Sequence, residues 1–126
     1  MKPSSFTGER LHQGDARFAV DLARHQAAYE FALERLPAGR TLDLGSGSGY
    51  GSTRLARDGR AVIGVDRVAP DPAQRQREAR FVRADLRALP FPPASFSAIA
   101  APRSPRSAYS ERLLSIFLTY NPMIFW

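Results

Sequence analysis

Apolar positions in the segment after Asp15 recur at spacings of three and four, the pattern of a helix with one buried face. Asp15 is placed to cap this helix, and Pro37 and Gly39 are placed to end it. The residues that share the buried face are Phe18, Leu22, His25, Tyr29, Leu33 and Leu36. The pattern therefore predicts one amphipathic helix ahead of the first strand.

Short apolar runs then alternate with more polar segments. Strands are predicted at 41–44, 61–66, 80–85 and 96–101, and helical segments at 52–58 and 67–79. The prolines between the third and fourth runs exclude helix and central strand there. The resulting order β-α-β-α-β-β predicts an α/β fold: a Rossmann-like, mostly parallel sheet with flanking helices.

Composition divides the chain into three parts. Residues 1–14 are predicted to be a polar N-terminal arm, 15–101 the α/β domain, and 102–126 an atypical hydrophobic tail. The tail contains no glycine and ends in NPMIFW, which is unusually apolar for a chain terminus. A docked final element, an exposed surface for a partner or for self-association, and a shifted reading frame each account for such a tail.

The formal net charge of +6 suggests a polyanionic partner at first. However, 17 of the 18 basic residues are arginine, and they are scattered without an aromatic-interleaved basic patch, so no nucleic-acid partner is expected. The absence of cysteine excludes disulfides, thiolate metal sites and cysteine nucleophiles. Neither a signal peptide nor a membrane span is recognised, which makes the cytoplasm the expected location.

The candidate chemistry lies where the first predicted strand runs into DLGSGSGYG. Glycines allow a sharp turn and let a ligand approach backbone N–H groups, and the helix that follows directs its positive end at a negative group. Asp66 ends the next strand, 21 positions after Gly45, close to the spacing of about 20 at which an acid meets a ribose. The segment therefore predicts a nucleotide-binding site.

The glycine spacing distinguishes among nucleotides. A dinucleotide-binding G-x-G-x-x-G loop needs glycine where this chain has Tyr50, and no lysine follows the loop as a triphosphate site requires. Asp43 precedes Gly45 by two positions and suits a ligand with a cationic end, such as the sulfonium and ammonium of S-adenosylmethionine. The alternatives are a structural turn, in which Asp43 is only a cap, and an NAD(P)-dependent oxidoreductase.

These motifs resemble the class I S-adenosylmethionine-dependent methyltransferases, in particular their type 11-like branch. The resemblance covers residues 7–101 and rests on TGER, RHQAAYEFA, DLGSGSGYG, IGVD and FVRADLRALPFPPASF in that order. It implies a S-adenosyl-L-methionine cofactor and no metal.

The resemblance also implies where the cofactor binds. In the family's arrangement the loop glycines cradle the methionine part with Asp43 at its amino end. Asp66 holds the ribose hydroxyls, and Asp85 with Leu86 lies beside the adenine. The full set of expected cofactor-binding residues is Asp43, Gly45, Ser46, Gly47, Gly49, Asp66, Arg67, Asp85 and Leu86. The N-terminal helix would close over the cofactor, which offers His25 and Tyr29 as lid contacts.

The chain also departs from the family. Ser97 stands where the family usually has an acid, and residues 102–126 do not match the elements that build the acceptor pocket. The expected fold is therefore an incomplete methyltransferase fold, truncated after the fourth strand. The expected reaction is methyl transfer to a small-molecule or glycan-type acceptor, with no residue nominated as general base. A non-catalytic cofactor-binding remnant or interaction module is the alternative.

Overall fold

The computed structural model describes residues 19–57, 59–74, 79–101, 116, 119–120 and 123–125. The helices there are α1 (Ala19–Leu33) and α2 (Tyr50–Leu55), and Pro72–Gln74 form a turn of 3-10 helix. The strands are β1 (Thr41–Leu44), β2 (Val62–Asp66), β3 (Arg80–Arg83), β4 (Ala98–Ala100) and β5 (Met123–Phe125). The five strands of this part of the chain run parallel in one sheet, in the order β3-β2-β1-β4-β5. The predicted Rossmann-like parallel sheet with flanking helices is confirmed.

The segment after β2 differs from its prediction. A helical segment is predicted over 67–79, but residues 67–74 contain only the single turn at Pro72–Gln74. Pro70 and Pro72 lack the N–H that the interior of an α-helix needs, which accounts for the short turn. Residues 75–78 lie outside the described part of the chain, as does the predicted cap Asp15.

The tail supplies a fifth strand that its sequence did not reveal. Met123 and Phe125 pair in parallel register with Ala98 and Ala100 of β4. Tyr120 is helical and 4% exposed, and it lies in the same core cluster as residues of β1 and β4. Of the three explanations for the tail, a docked final element agrees with these contacts, and the sheet continues past the fourth strand.

The two faces of the sheet are covered by different elements. Because successive side chains of a strand point to opposite faces, β1 directs Leu42 and Leu44 into one core, while Asp43 faces Tyr29 and Ser52 on the other side. The core on the α1 and α2 side consists of Leu22, Tyr29, Ala32, Tyr50, Leu55, Ala56, Val62, Ala79 and Ala100. The core on the other side consists of Leu42, Leu44, Val65, Phe96, Ile99, Ala101, Ile116 and Tyr120. No helix in the described ranges is long and apolar enough to cross a membrane.

The strand order positions the site. From β1 the chain proceeds outward through β2 to β3, and then returns to place β4 on the opposite side of β1. In open parallel sheets, ligands bind at the carboxyl ends of the strands where the order reverses in this way. All four residues of β1 are buried, so the loop that follows Leu44 begins inside the sheet, at the base of such a crevice.

Candidate functional site

The glycine loop between β1 and α2 is held against β2 by its own backbone. The N–H groups of Gly45 and Ser46 both donate to the carbonyl oxygen of Val65, at 2.8 and 3.0 Å. Gly45, Gly47 and Gly49 have φ angles of 69°, 59° and 97°. This left-handed backbone costs other residues about 1–2 kcal/mol, so alternating glycines allow the tight turn at the carboxyl end of β1.

The Gly45 side of the loop is open. A Cβ at Gly45 would meet no heavy atom within 4 Å, so glycine is required there by the backbone angle rather than by packing. The missing side chain allows a ligand to come close to the backbone at this point. This open face is consistent with the predicted nucleotide site.

Asp43 lies two residues before the loop and is 0% exposed. Its carboxylate accepts hydrogen bonds from the Tyr29 hydroxyl, at 3.0 and 3.1 Å, and from the Ser52 hydroxyl, at 2.6 Å. A carboxylate excluded from water needs such donors to offset its lost hydration. The structure therefore places this predicted acid between the sheet and the two helices, covered by the side chains of α1 and α2.

Three residues that sequence analysis did not nominate shape the contact between Asp43 and Tyr29: Ser52, Gly51 and Gly64. Gly64 is the register partner of Asp43, and a Cβ there would come within 2.5 Å of the Ser52 Oγ atom. A Cβ at Gly51 would overlap the ring of Tyr29. The available signal was the fourth glycine of DLGSGSGYG and the glycine inside IGVD, because glycine within a helix or strand often marks a close approach.

Asp66 ends β2 beside the loop, with a half-buried side chain. Its Oδ2 atom accepts a hydrogen bond from the Gly47 N–H at 2.9 Å, and its Oδ1 atom accepts one from the Val68 N–H at 3.2 Å. The N–H of Asp71 donates to the carbonyl oxygen of Ser48 at 2.9 Å, which ties the segment after β2 to the same loop. The structure thus brings Asp66 and the glycine loop together, as their spacing predicts.

Asp85 follows β3 at the neighbouring strand end. The N–H of Ala84 donates to the Asp66 carbonyl oxygen at 3.1 Å, which joins the two strand ends. The Arg87 guanidinium donates to the Asp85 carboxylate, with Nε 3.0 Å from both oxygens, and the Arg87 backbone N–H donates at 2.9 Å. These bonds, the side-chain ones first, hold the pKa of Asp85 well below its usual range, and the charge of Arg67 adds to the lowering.

The remaining expected residues occupy different depths. Ser46 is 2% exposed, and Arg67 is exposed. Leu86 is half-buried against the core on the side opposite α1 and α2. Of the two lid candidates, Tyr29 is brought to Asp43, while His25 is half-buried one turn earlier on α1. The glycine loop, Asp66 and Asp85 therefore lie at the carboxyl ends of adjacent strands. Tyr29 contacts Asp43, just before the loop.

The carboxylates and the open loop of this site fit a nucleoside with a positively charged end. Asp66 retains acceptor capacity, because a carboxylate has about four lone-pair sites and two are used by backbone N–H groups. Asp43 places a buried carboxyl group behind the loop, and Gly45 leaves the approach open. Within the described residues, no group of three or more His, Cys, Asp or Glu side chains could hold a metal ion.

Comparison with known proteins identifies the family of the chain. A profile of the family described as methyltransferase domain matches residues 41–115. The demethylmenaquinone methyltransferase of Thermus thermophilus is 37% identical over 91 residues, which cover 65% of this chain and 41% of that protein. A probable S-adenosylmethionine-dependent methyltransferase of Mycolicibacterium smegmatis is 34% identical over 98 residues, which cover 74% of this chain and 37% of that protein. The chain thus spans less than half the length of these two relatives.

A solved structure shows the same fold. The 1,6-didemethyltoxoflavin-N1-methyltransferase of Burkholderia thailandensis, with 1,6-didemethyltoxoflavin and S-adenosylhomocysteine bound, superposes with a TM-score of 0.64. The match covers 89% of this chain and 52% of that one, at 24% identity. At that identity the match shows a common fold and nothing further. The family profile itself spans β4 as well as β1, the glycine loop, β2 and β3, at whose carboxyl ends the crevice lies. The chain therefore belongs to the methyltransferase domain family, whose cofactor is S-adenosylmethionine.

Proposed function

We propose that the crevice at the carboxyl ends of β1, β2 and β3 binds S-adenosylmethionine, and that the protein transfers its methyl group to a small-molecule or glycan-type acceptor in the cytoplasm. The observation that carries the proposal is the contact between Asp66 and the Gly47 N–H, beside the open face of Gly45. This contact joins an acid suited to ribose hydroxyls with a loop suited to the methionine part.

Each acid has a separate role in the proposal. Asp66 accepts hydrogen bonds from the two ribose hydroxyls through the lone pairs that its backbone donors leave. Asp85 and Leu86 lie beside the adenine, where the Arg87 contact keeps Asp85 ionised. Asp43 acts on the cationic end through its charge, since a charge shielded from water by α1 and α2 attracts an opposite charge more strongly than an exposed one.

When bound, the cofactor supplies a methyl group already activated on a sulfonium, so the protein need not form a covalent intermediate. This chain's residues orient that group and exclude water from it. The glycine loop is rigid enough for this purpose because Gly45 and Ser46 share the Val65 carbonyl and Asp66 holds Gly47. A general base is not assigned.

The alternatives are less well supported. In a dinucleotide site the position of Tyr50 is glycine, whereas Tyr50 is 7% exposed here and packs edge-on against Tyr29, with ring centroids 5.8 Å apart. The family match over 41–115 favours a methyltransferase over an oxidoreductase. A non-catalytic remnant of the same family would match the same profile, so a transfer assay is what distinguishes it from an active methyltransferase.

Calorimetric titration of the full chain with S-adenosylhomocysteine tests the proposal. Asp66→Ala should weaken binding by roughly tenfold or more, the effect of losing hydrogen bonds to a charged group. Asp21→Ala is the matched control, because it removes an exposed acid on α1 that pairs only loosely with Arg24, at 4.0 Å. Absence of binding by the wild-type chain would refute the proposed function. Binding without methyl transfer to any acceptor would favour the remnant.

A further inference from the structure

We propose that Tyr29 is a positioning residue for the cofactor, because its hydroxyl fixes the buried carboxylate of Asp43 in the state that attracts the cationic end. The inference rests on the proposed function and goes beyond it in one respect. It assigns α1 a part in cofactor selectivity through a group that does not itself touch the ligand.

Tyr29 is held in place on three sides. Its ring lies directly over Gly51, where any Cβ would overlap it. The ring also meets that of Tyr50 at an interplanar angle of 76°, an edge-on arrangement that aromatic pairs favour. Tyr29 is 1% exposed, and its hydroxyl donates to the Asp43 carboxylate from this packed position.

The space around Asp43 is shaped for this contact. Its two register partners are Gly64 and Ala100, which carry no side chain or only a methyl group. Ser52 enters the space left by Gly64 and donates to the same carboxylate, at 2.6 Å. Hydroxyl donors from both helices therefore converge on a single carboxylate.

The consequence concerns charge rather than packing. Without the Tyr29 hydroxyl, the buried carboxylate loses a donor that offsets its dehydration, so its negative charge is less stable where it stands. Its attraction for an ammonium or sulfonium group then falls. Attraction for the adenosine part, which meets Asp66 and Asp85 instead, stays unchanged.

Two probes separate these contributions: S-adenosylhomocysteine, which carries the ammonium and carboxylate, and 5′-methylthioadenosine, which lacks both. Tyr29→Phe in the full chain should raise the Kd for S-adenosylhomocysteine by roughly tenfold and change that for 5′-methylthioadenosine by less than about twofold. Ser52→Ala removes a second donor to the same carboxylate and should give the same selectivity change, so the role of Asp43 is tested even where Tyr29→Phe fails to fold.

Tyr120→Phe is the matched control. It deletes a hydroxyl on the opposite face of the sheet, one that donates to the Phe91 carbonyl oxygen at 2.9 Å, and should leave the ratio of the two Kd values unchanged. Equal weakening of both probes by Tyr29→Phe, or no weakening of S-adenosylhomocysteine, overturns the inference. Failure of the wild-type chain to bind either probe overturns the proposed function instead.

Discussion

Asp43 and Gly64 face each other across the β1–β2 pair, and the side chain that Gly64 lacks is replaced by the hydroxyl of Ser52. From that space the hydroxyl donates to Asp43 at 2.6 Å. Glycine in a strand interior ordinarily weakens the strand. At this position it admits a polar contact from α2 into the centre of the sheet.

Gly64→Ala should destabilise the chain by about 1–3 kcal/mol, the usual cost of overpacking a core. The new Cβ would lie 2.5 Å from Ser52 Oγ and 2.8 Å from the Phe81 ring, so both contacts must be relieved by a shift. Urea unfolding measures the loss. In a Ser52→Ala background the same substitution should cost less, because the nearer obstacle is gone. Additive costs would contradict this account.

Gly51→Ala and Gly45→Ala should each destabilise the chain, but for different reasons. At Gly51 the added methyl overlaps the Tyr29 ring, and displacing that ring separates α1 from α2. At Gly45 nothing lies within 4 Å, and the cost is only that of a left-handed φ, about 1–2 kcal/mol. We expect Gly51→Ala to lower the thermal midpoint more, and Gly45→Ala to weaken S-adenosylhomocysteine binding beyond its effect on stability. A reversed order of the two midpoints would argue against the packing described for Tyr29.

The pKa of Asp85 should lie below its ordinary value of 3.8 in the folded chain, chiefly because of the Arg87 side chain. The unfolded chain then binds a proton at higher pH than the folded chain does. The contribution to stability is therefore complete above the ordinary value and is lost as the pH falls through the folded pKa. Because the Arg87 side chain is 62% exposed, solvent screening keeps this contribution small.

Carboxyl carbon shifts followed by nuclear magnetic resonance during acid titration measure that pKa directly. Arg87→Ala should return it towards the ordinary value, and Arg67→Ala should move it less, since Arg67 is the weakest cause. An Asp85 that already titrates near 3.8 in the wild-type chain would exclude the Arg87 contact in solution.

Phe96→Ala should destabilise the chain by about 3–5 kcal/mol, the range for a buried aromatic truncated in a core. Phe96 is 4% exposed and meets Phe91 and Tyr120 edge-on, with ring centroids 5.0 and 5.6 Å away. The substitution removes the middle ring of the three, so Phe91 and Tyr120 each lose an aromatic contact. Urea unfolding gives the free energy. An unchanged unfolding free energy would mean that the tail packs elsewhere.

Much of the fold could be predicted from local pattern. β1 and β2 were located because buried parallel strands form short apolar runs, and the loop was located because left-handed turns need glycine. β5 could not be located in this way. Its three residues follow Pro122 in a segment with no alternation, and its pairing with β4 depends on long-range contact alone.

The site residues also differ in whether contiguous sequence or long-range packing determines their position. Asp66 was found because its spacing from Gly45 reflects one strand–loop–helix–strand unit, a property of contiguous sequence. Ser52 and Gly64 were not, because their relation is one of register and volume, visible only once β1, β2 and α2 are packed. Tyr29 was expected as a lid contact, and its hydrogen bond to Asp43 could not be inferred from helical spacing.

The reversal of strand order at β1 also has a consequence for how such a chain can change. Every residue placed in the crevice comes from one uninterrupted stretch, Tyr29 to Arg87, on one flank of the sheet. Strands β4 and β5 form the other flank. Under the proposed function, replacements after Ala101 should therefore leave the contacts to the methyl donor intact. Under that function, the residues that bind the methyl donor can be retained together while the residues that select the acceptor change.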